Sequence, residues 1–556
     1  MVLRKHLAEY WQSFSFIGLV SAILFFSASV TPSLLPRPYL VQGILSALAI
    51  ATGYGLGVGA VWIYRFLEFP RPNDRVQAVS KVAACVSVAI IFVFALWQMT
   101  FWQNSVRELM EMPIVESSYP YRFAAIAVAG GTVLIAFARF ILWLIAKLAR
   151  QLNHVLPRRV SIVISGLAVG VALLLIGNGI VARALLDSAD RFFSQADGLI
   201  DGGVEQPAMP LATGSHQSLI TWESIGREGK NFLVAGPTQA QISQFHERQA
   251  MQPLRVYVGM RSRDTARERA ELALKEMLRV GAFDRSVLVV ATPTGTGWLD
   301  PGGVDSLEYL HAGDTAVVST QYSYLPSWIT ILVDPRRSIE SAYELFDVVY
   351  GYWRTLPPDH RPKLFLHGLS LGALGSEVSA DLYATFEDPI QGAVWSGPPF
   401  PSTQWQQITN HRNLGSPSWL PTYRDQRLIR FTSRKNDLTR GRPWGPIRNV
   451  YIQHASDPMV FFSSTLFYKR PPWLAGERGP DVSPHLTWYP IITGLQIAFD
   501  LPMATSVPMG FGHNYAPASY IDAWIAVSQP RDWSARDTAD LKKLFLSSAT
   551  RWPGST

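Results

Sequence analysis

At 556 residues the chain exceeds one ordinary domain, and its 48% apolar and 16% charged residues, with 18 tryptophans, are leaner in charge than a typical soluble protein. The formal net charge of +7 is carried largely by short loops between apolar runs, which points to anionic lipid head groups and membrane orientation and argues against a nucleic-acid partner. The single cysteine, Cys85, excludes an intrachain disulfide and any cysteine-based metal site.

The first third holds five apolar runs of spanning length, Phe14–Val30, Leu40–Tyr64, Val82–Trp102, Phe123–Ala146 and Val160–Ala182. The first has a signal-peptide look, with Arg4 and Lys5 ahead of it and Ser27-Ala28-Ser29 behind. A second span begins almost at once across Pro32–Pro38, so a retained helix is the expectation. Lys and Arg sort by loop. Ten fall at the N-terminus (Arg4, Lys5), in the second loop (Arg65, Arg71, Arg75, Lys81) and in the fourth (Lys147, Arg150, Arg158, Arg159), against three (Arg37, Arg107, Arg122) in the alternate loops. Positive loops stay cytoplasmic, so the N-terminus is expected inside and everything after the fifth span outside the cell (inner) membrane, on the periplasmic or extracellular side. Gly53, Gly55, Gly57 and Gly59 suggest close helix packing, with a lipid-access groove as the alternative. No acidic residue lies mid-span, which argues against ion-coupled transport.

Residues 1–186 therefore read as a multi-pass domain, and 187–250 as a connector with the first elements of the exported domain, Asp187–Gln217 being a connector or partly mobile collar. Residues 251–556 read as alternating strands and helices. Leu254–Gly259, Ser286–Ala291, Thr315–Ser319, Lys363–His367, Gly392–Ser396, Arg427–Phe431 and Asn449–Gln453 are strand candidates, and Thr265–Val280, Ile339–Trp353 and Tyr520–Val527 read as helices. Short apolar strands between helices predict an α/β fold with a mostly parallel sheet, helices on both faces, and ligands at the carboxyl ends of the strands.

At one such end stands Gly368-Leu369-Ser370-Leu371-Gly372, the G-x-S-x-G pattern of a strand–turn–helix elbow. The turn is too tight for side chains beside the serine, and Ser370 would lie at a helix N-terminus, where negative charge is favoured. A serine hydroxyl needs an adjacent base oriented by a carboxylate, in the order serine, acid, histidine. His513, in Gly510-Phe-Gly-His-Asn-Tyr515, is the favoured base, with His485 as rival. Asp457, in the turn after Asn449–Gln453, is the favoured acid. Asp437, crowded by Arg434, Lys435 and Arg440, is the alternative. The oxyanion needs N–H donors. Leu371 is one candidate, and Thr294, Gly295, Thr296 and Gly297 in the loop after Ser286–Ala291 supply the second. That loop lacks the lysine and the glycine spacing of a phosphate-binding loop. Trp298, Tyr322, Tyr324 and Trp395 either line an acyl pocket or fill the core, and a polar insertion around 399–426 stands where a lid is expected. The eleven histidines are scattered with no H-E-x-x-H, so no metal and no cofactor is expected.

With these motifs in order, the chain resembles the α/β-hydrolase superfamily, and more narrowly a bacterial membrane-anchored branch with a polytopic N-terminal domain. Thr31-Pro-Ser-Leu-Leu-Pro-Arg37, Val256-Tyr-Val-Gly-Met260, Val290–Trp298 and Gln321–Trp328 carry the narrower likeness. The superfamily implies a serine nucleophile with an acid and a histidine, which map to Ser370, Asp457 and His513, and implies no substrate. The expectation is a serine hydrolase cleaving esters of lipids or acylated cell-envelope components. An acyltransferase using the same residues is the near variant, and a lipid transporter or scaffold with an inactive hydrolase domain is the distant one.

Overall fold

The computed structural model describes residues 13–70, 72–177, 182–379 and 387–548, so the basic residues Arg4, Lys5 and Arg71 lie outside the described residues. The chain forms two compact units. One comprises Met1–Leu186 with Phe462–Ala475 and Pro480–Met503, and the other Asp187–Phe461 with Gly476–Gly479 and Ala504–Thr556. The expected catalytic domain 251–556 is thus not continuous. A stretch late in the chain is folded into the first unit.

The first unit is helical: α1 Phe16–Ser29, α2 Tyr39–Phe66, α3 Asp74–Leu109, α4 Pro120–Leu152 and α5 Arg158–Leu174. Among the described residues four helices, α2 to α4 and the apolar stretch Arg158–Gly177 that begins with α5, are long and apolar enough to cross a membrane. The first of the five expected runs forms the shorter apolar helix α1. Helix α1 has only 14 residues, a rise of about 21 Å against a hydrocarbon core of about 30 Å. Its ends are local: the Ser15 hydroxyl accepts the Gly18 N–H, and the link Thr31–Pro38 has prolines at 32, 36 and 38 that cannot continue a helix.

Glycine placement in α2 discriminates between its two faces. A Cβ on Gly53 would stand 2.6 Å from the Ser21 carbonyl oxygen, and one on Gly57 2.7 Å from that of Ile17, whereas Gly55 and Gly59 face nothing within 4 Å. Backbones of α1 and α2 therefore meet along Gly53 and Gly57, the packing role that small residues serve where no hydrophobic effect drives association. Polar groups reinforce the pair: Ser29 and Ser46 hydroxyls are 2.8 Å apart, and the Gln42 amide donates to the Ser29 carbonyl at 3.0 Å.

The second unit is built on seven parallel strands in the order β1-β3-β2-β4-β5-β7-β6. They are β1 Leu254–Val258, β2 Val287–Thr292, β3 Thr315–Thr320, β4 Lys363–Leu369, β5 Gly392–Ser396, β6 Ile429–Thr432 and β7 Arg448–Ile452. Every residue of β2, β3 and β5 is buried, which is why these strands read as unbroken apolar runs rather than alternating ones. The helices Ala266–Val280, Arg336–Thr355 and Pro517–Ser528 stand close to their expected positions. The first is bounded by a Thr265/Glu268 capping box and by Gly281 at φ 73°, start and stop signals present in the sequence. Part of the expected connector is helical. Ala182–Asp197 is one helix, and within the second unit its last residue accepts from Gln321 Nε2 (3.1 Å) and Arg261 Nη1 (3.0 Å).

From β5 the chain runs out to the edge strand β6 and returns to β7 beside β5. The turn that leaves β7 is therefore nearer β4, the strand that leads into Ser370, than the turn that leaves β6.

The two glycine faces of α2 give a stability test. Gly57→Leu should destabilise the detergent-solubilised protein by about 2 kcal/mol or more, because backbone must move, while Gly59→Leu should fall within about 0.5 kcal/mol of wild type. Thermal unfolding of the two variants side by side reads the difference.

Candidate active site

Strand β4 delivers Ser370 to a left-handed backbone, φ 58°. Most side chains avoid that region, at a cost of about 1–2 kcal/mol, so the conformation persists only because neighbours hold it. The Ser370 N–H donates to the Ser396 carbonyl at 3.0 Å, and its own carbonyl accepts the Leu374 N–H at 3.1 Å, opening the helix Leu371–Ser379. A Cβ on Gly372 would be 2.1 Å from the Thr292 carbonyl oxygen, so only glycine lets this helix approach the end of β2. The Ser338 hydroxyl ties the Leu371 carbonyl at 2.5 Å.

Asp457 and His513 form a buried pair. His513 Nδ1 lies 2.7 Å from Asp457 Oδ2, and the two residues are 8% and 0% exposed. A carboxylate only accepts, so Nδ1 carries the proton and Nε2 presents its lone pair. The same Oδ2 accepts from the Tyr515 hydroxyl at 2.6 Å, while Oδ1 accepts the Met459 N–H at 2.8 Å. Burial alone would raise the Asp457 carboxyl, but the His513 and Tyr515 contacts outweigh it and hold the group below its ordinary value. Burial, with the Asp457 charge, pushes the Tyr515 phenol well up, so it stays a donor.

The imidazole reaches this place through β5. Gly397, the residue after that strand, has φ 52°, and a Cβ there would stand 2.5 Å from His513 Cε1. Its neighbour Ser396 is the one bonded to Ser370 N–H. The strand end Ser396-Gly397 therefore carries the serine on one residue and the histidine ring on the next. Ser370 Oγ and His513 Nε2 are both buried and make no hydrogen bond among the described residues. The loop around His513 is held from below: Gly512 N–H donates to Ser456 Oγ (2.9 Å), and His454 Nδ1 lies 2.9 Å from the Gly512 carbonyl, its ring stacked 4.4 Å from that of Tyr515.

The other sequence candidates separate. Asp437 follows the edge strand β6 and pairs with Arg440 at 3.3 Å, the ion pair its neighbours suggested. His485 lies in the helical unit, its ring 5.0 Å from that of Phe101. In the loop after β2, the Thr294 and Gly297 amides close the loop's own turns (2.9 and 3.0 Å), and the Gly295 amide donates to Ser327 Oγ (2.9 Å). That removes these three as oxyanion donors. Leu371, first residue of its helix, and Thr296 remain. Trp395 is 4% exposed, donates to Ser376 Oγ at 2.9 Å and packs 5.0 Å from Tyr451, and Tyr322 is 2% exposed. Both are core. Trp298 and Tyr324 are half-buried. The insertion after β5 contains the helix Thr403–Asn410, fastened to β7 by Trp405 Nε1 and Gln453 Oε1 at 2.7 Å. Sequence reasoning missed Tyr515, Gly397 and Ser338. Only Tyr515 carried a signal, two residues past the histidine in a glycine-rich loop.

A parallel sheet carrying a strained serine at the carboxyl end of a central strand, with a buried acid–histidine pair formed by the turn after β7 and a loop packed on the end of β5, is the architecture of an α/β-hydrolase. The comparisons agree: the model of the Alpha/beta-hydrolase family matches residues 254–541 and that of the Alpha/beta-hydrolase family N-terminus matches residues 30–237, and the chain belongs to this family. No curated protein and no solved structure matches it.

Two buried acids near the elbow make stability pH-dependent. Burial raises Glu377, on the elbow helix, from 4.5 to about 7 against the Tyr451 hydroxyl that bonds it at 2.8 Å, and burial raises Asp300 to about 7. Both folded values lie above the unfolded ones. Their contribution is full below the unfolded values and is lost as pH rises towards 7. Glu377→Gln should remove roughly half of that decline, on the order of 3 kcal/mol. Denaturant melts of wild type and variant across that interval measure it, and parallel curves would refute the assignment.

Proposed function

We propose that this protein is a membrane-anchored serine hydrolase that cleaves carboxylic esters. The observation that carries the reading is the Asp457–His513 pair at 2.7 Å, placed on the strand end that also holds Ser370. Ser370 Oγ attacks the acyl carbon while His513 Nε2 takes its proton, and the imidazolium is stabilised by Asp457 through Nδ1–H. The carbonyl electrons move onto oxygen, where the Leu371 N–H, with Thr296 as second donor, stabilises the oxyanion. Collapse expels the alcohol, which receives the proton from Nε2–H and leaves an acyl-Ser370. Water then repeats the sequence: His513 deprotonates it, the acid is released, and Ser370 regains its proton.

The acyl groups we assign are those of lipids or acylated envelope components, because the same chain carries four helices suited to a bilayer. The catalytic unit is assigned to the periplasmic or extracellular side. The basic loop Lys147–Arg159 directly precedes the last long apolar helix and favours the cytoplasm. That argument is independent of whether the short α1 crosses.

A fluorophosphonate probe should label the wild-type protein and not Ser370→Ala. Asp457→Asn should lower kcat by about 10⁴-fold, and Asp437→Asn should leave it within about threefold of wild type. Labelling of Ser370→Ala at the wild-type level, or a loss confined to Asp437→Asn, would refute these roles. A reporter fused after Thr556 should read as exported, and cytoplasmic signal would reverse the orientation.

A further inference from the structure

The chain between the acid and the base leaves the hydrolase unit. Residues 462–475 and 480–503 fold with the N-terminal helices, where Asp500 and Gln496 are 0% and 1% exposed. There Asp500 Oδ2 accepts the N–H groups of Leu34 (3.1 Å) and Leu35 (3.3 Å), in the proline-rich link between α1 and α2. Gln496 Nε2 donates to the carbonyls of Ser29 (3.2 Å) and Thr31 (2.9 Å). Ser483 Oγ lies 2.8 Å from Ser105 Oγ on α3.

The two boundaries of this stretch are close to the catalytic pair. On the outgoing side, Asp457 opens the helical turn Pro458–Phe461, whose last residue directly precedes the first of these segments. Its carbonyl accepts the Phe461 N–H at 3.1 Å and its Oδ1 the Met459 N–H at 2.8 Å. Gly476–Gly479 rejoin the hydrolase unit briefly, and on the final return the carbonyl of Ala504 accepts the backbone N–H of His513 at 2.8 Å. The acid is thus fastened to the point of departure and the base to the point of re-entry.

We propose that residues 462–475 and 480–503 are a strut through which the helical unit sets the position of His513 relative to Asp457, with Asp500 and Gln496 as positioning residues. The helical unit is then part of the catalytic machinery as well as an anchor. This rests on the serine-hydrolase reading above. Neither residue touches substrate. Each fixes a chain whose two ends carry the acid and the base, and displacement of a catalytic group by about 1 Å costs about 100-fold in rate.

The test uses the full chain in detergent, a soluble short-chain p-nitrophenyl ester and the fluorophosphonate probe. Gln496→Met keeps the side chain's size and removes its donors. Asp500→Asn and Asp500→Leu both remove the charge that faces Arg37, but only asparagine retains an oxygen for the Leu34 and Leu35 amides. Gln496→Met and Asp500→Leu should lower kcat and labelling rate about tenfold with KM unchanged, and Asp500→Asn should recover most of the loss relative to Asp500→Leu. Hydrogen exchange over 492–503 reports whether the strut has loosened. Loosened segments with wild-type kcat and labelling, or equal rates for Asp500→Asn and Asp500→Leu, would overturn the strut alone. Absence of labelling in the wild type would instead remove the hydrolase reading and the strut with it.

Discussion

The structure turns on the backbone of Ser370. A residue with a side chain stands at φ 58°, between a strand and a helix that approach closely enough for a Cβ on Gly372 to collide with the Thr292 carbonyl. Such a conformation is unfavourable alone and survives where the surroundings over-determine it. Here β5 holds it through Ser396, the elbow helix through Leu374, and Ser338 ties the adjacent Leu371 carbonyl. The benefit is chemical. The hydroxyl is held at the carboxyl edge of the sheet, where strand-end dipoles, the helix N-terminus and loops from neighbouring strands converge.

This constraint explains why so much was legible in the sequence. The elbow permits almost nothing but glycine at two fixed offsets, so Gly368 and Gly372 advertise it. The strands of the sheet are covered on both faces and appear as short apolar runs. The helix from Ala266 is bracketed by Thr265, Glu268 and Gly281, residues whose capping chemistry is local. The ion pair of Asp437 with Arg440 was legible from its neighbours, and Asp457 is the one that meets His513. The deeper reason is topological and was hidden: the chain visits the edge strand β6 before returning to β7, so the later acid is the nearer one.

The features that were not legible depend on distant contacts. Hydropathy marked the first apolar run as a span, but its helical length is set by Ser15 at one end and the proline-rich link at the other, and 14 residues result. A glycine-rich loop looked like a set of free amides, yet three of its four candidate donors close turns or bind Ser327. Aromatic residues past strand ends looked equally suited to pocket or core, and only the Ser376 hydroxyl and the Tyr451 ring place Trp395 in the core. No local pattern signals that Asp500 serves amides 466 and 465 residues earlier in the chain.

That last separation bears on why one chain carries both units. Two modules joined only end to end would need one crossing, after the last span, and either could be exchanged without touching the other. Here the chain passes between the units four more times between two residues whose side chains meet at 2.7 Å. Asp457 and His513 are each hydrogen-bonded to residues at the boundary, and the proposed strut rests on those bonds. The insertion costs chain order, since Asp500 and Gln496 must be buried with their partners satisfied. That cost would be avoidable if the helices served only as an anchor. A surface tether of any sequence would do that.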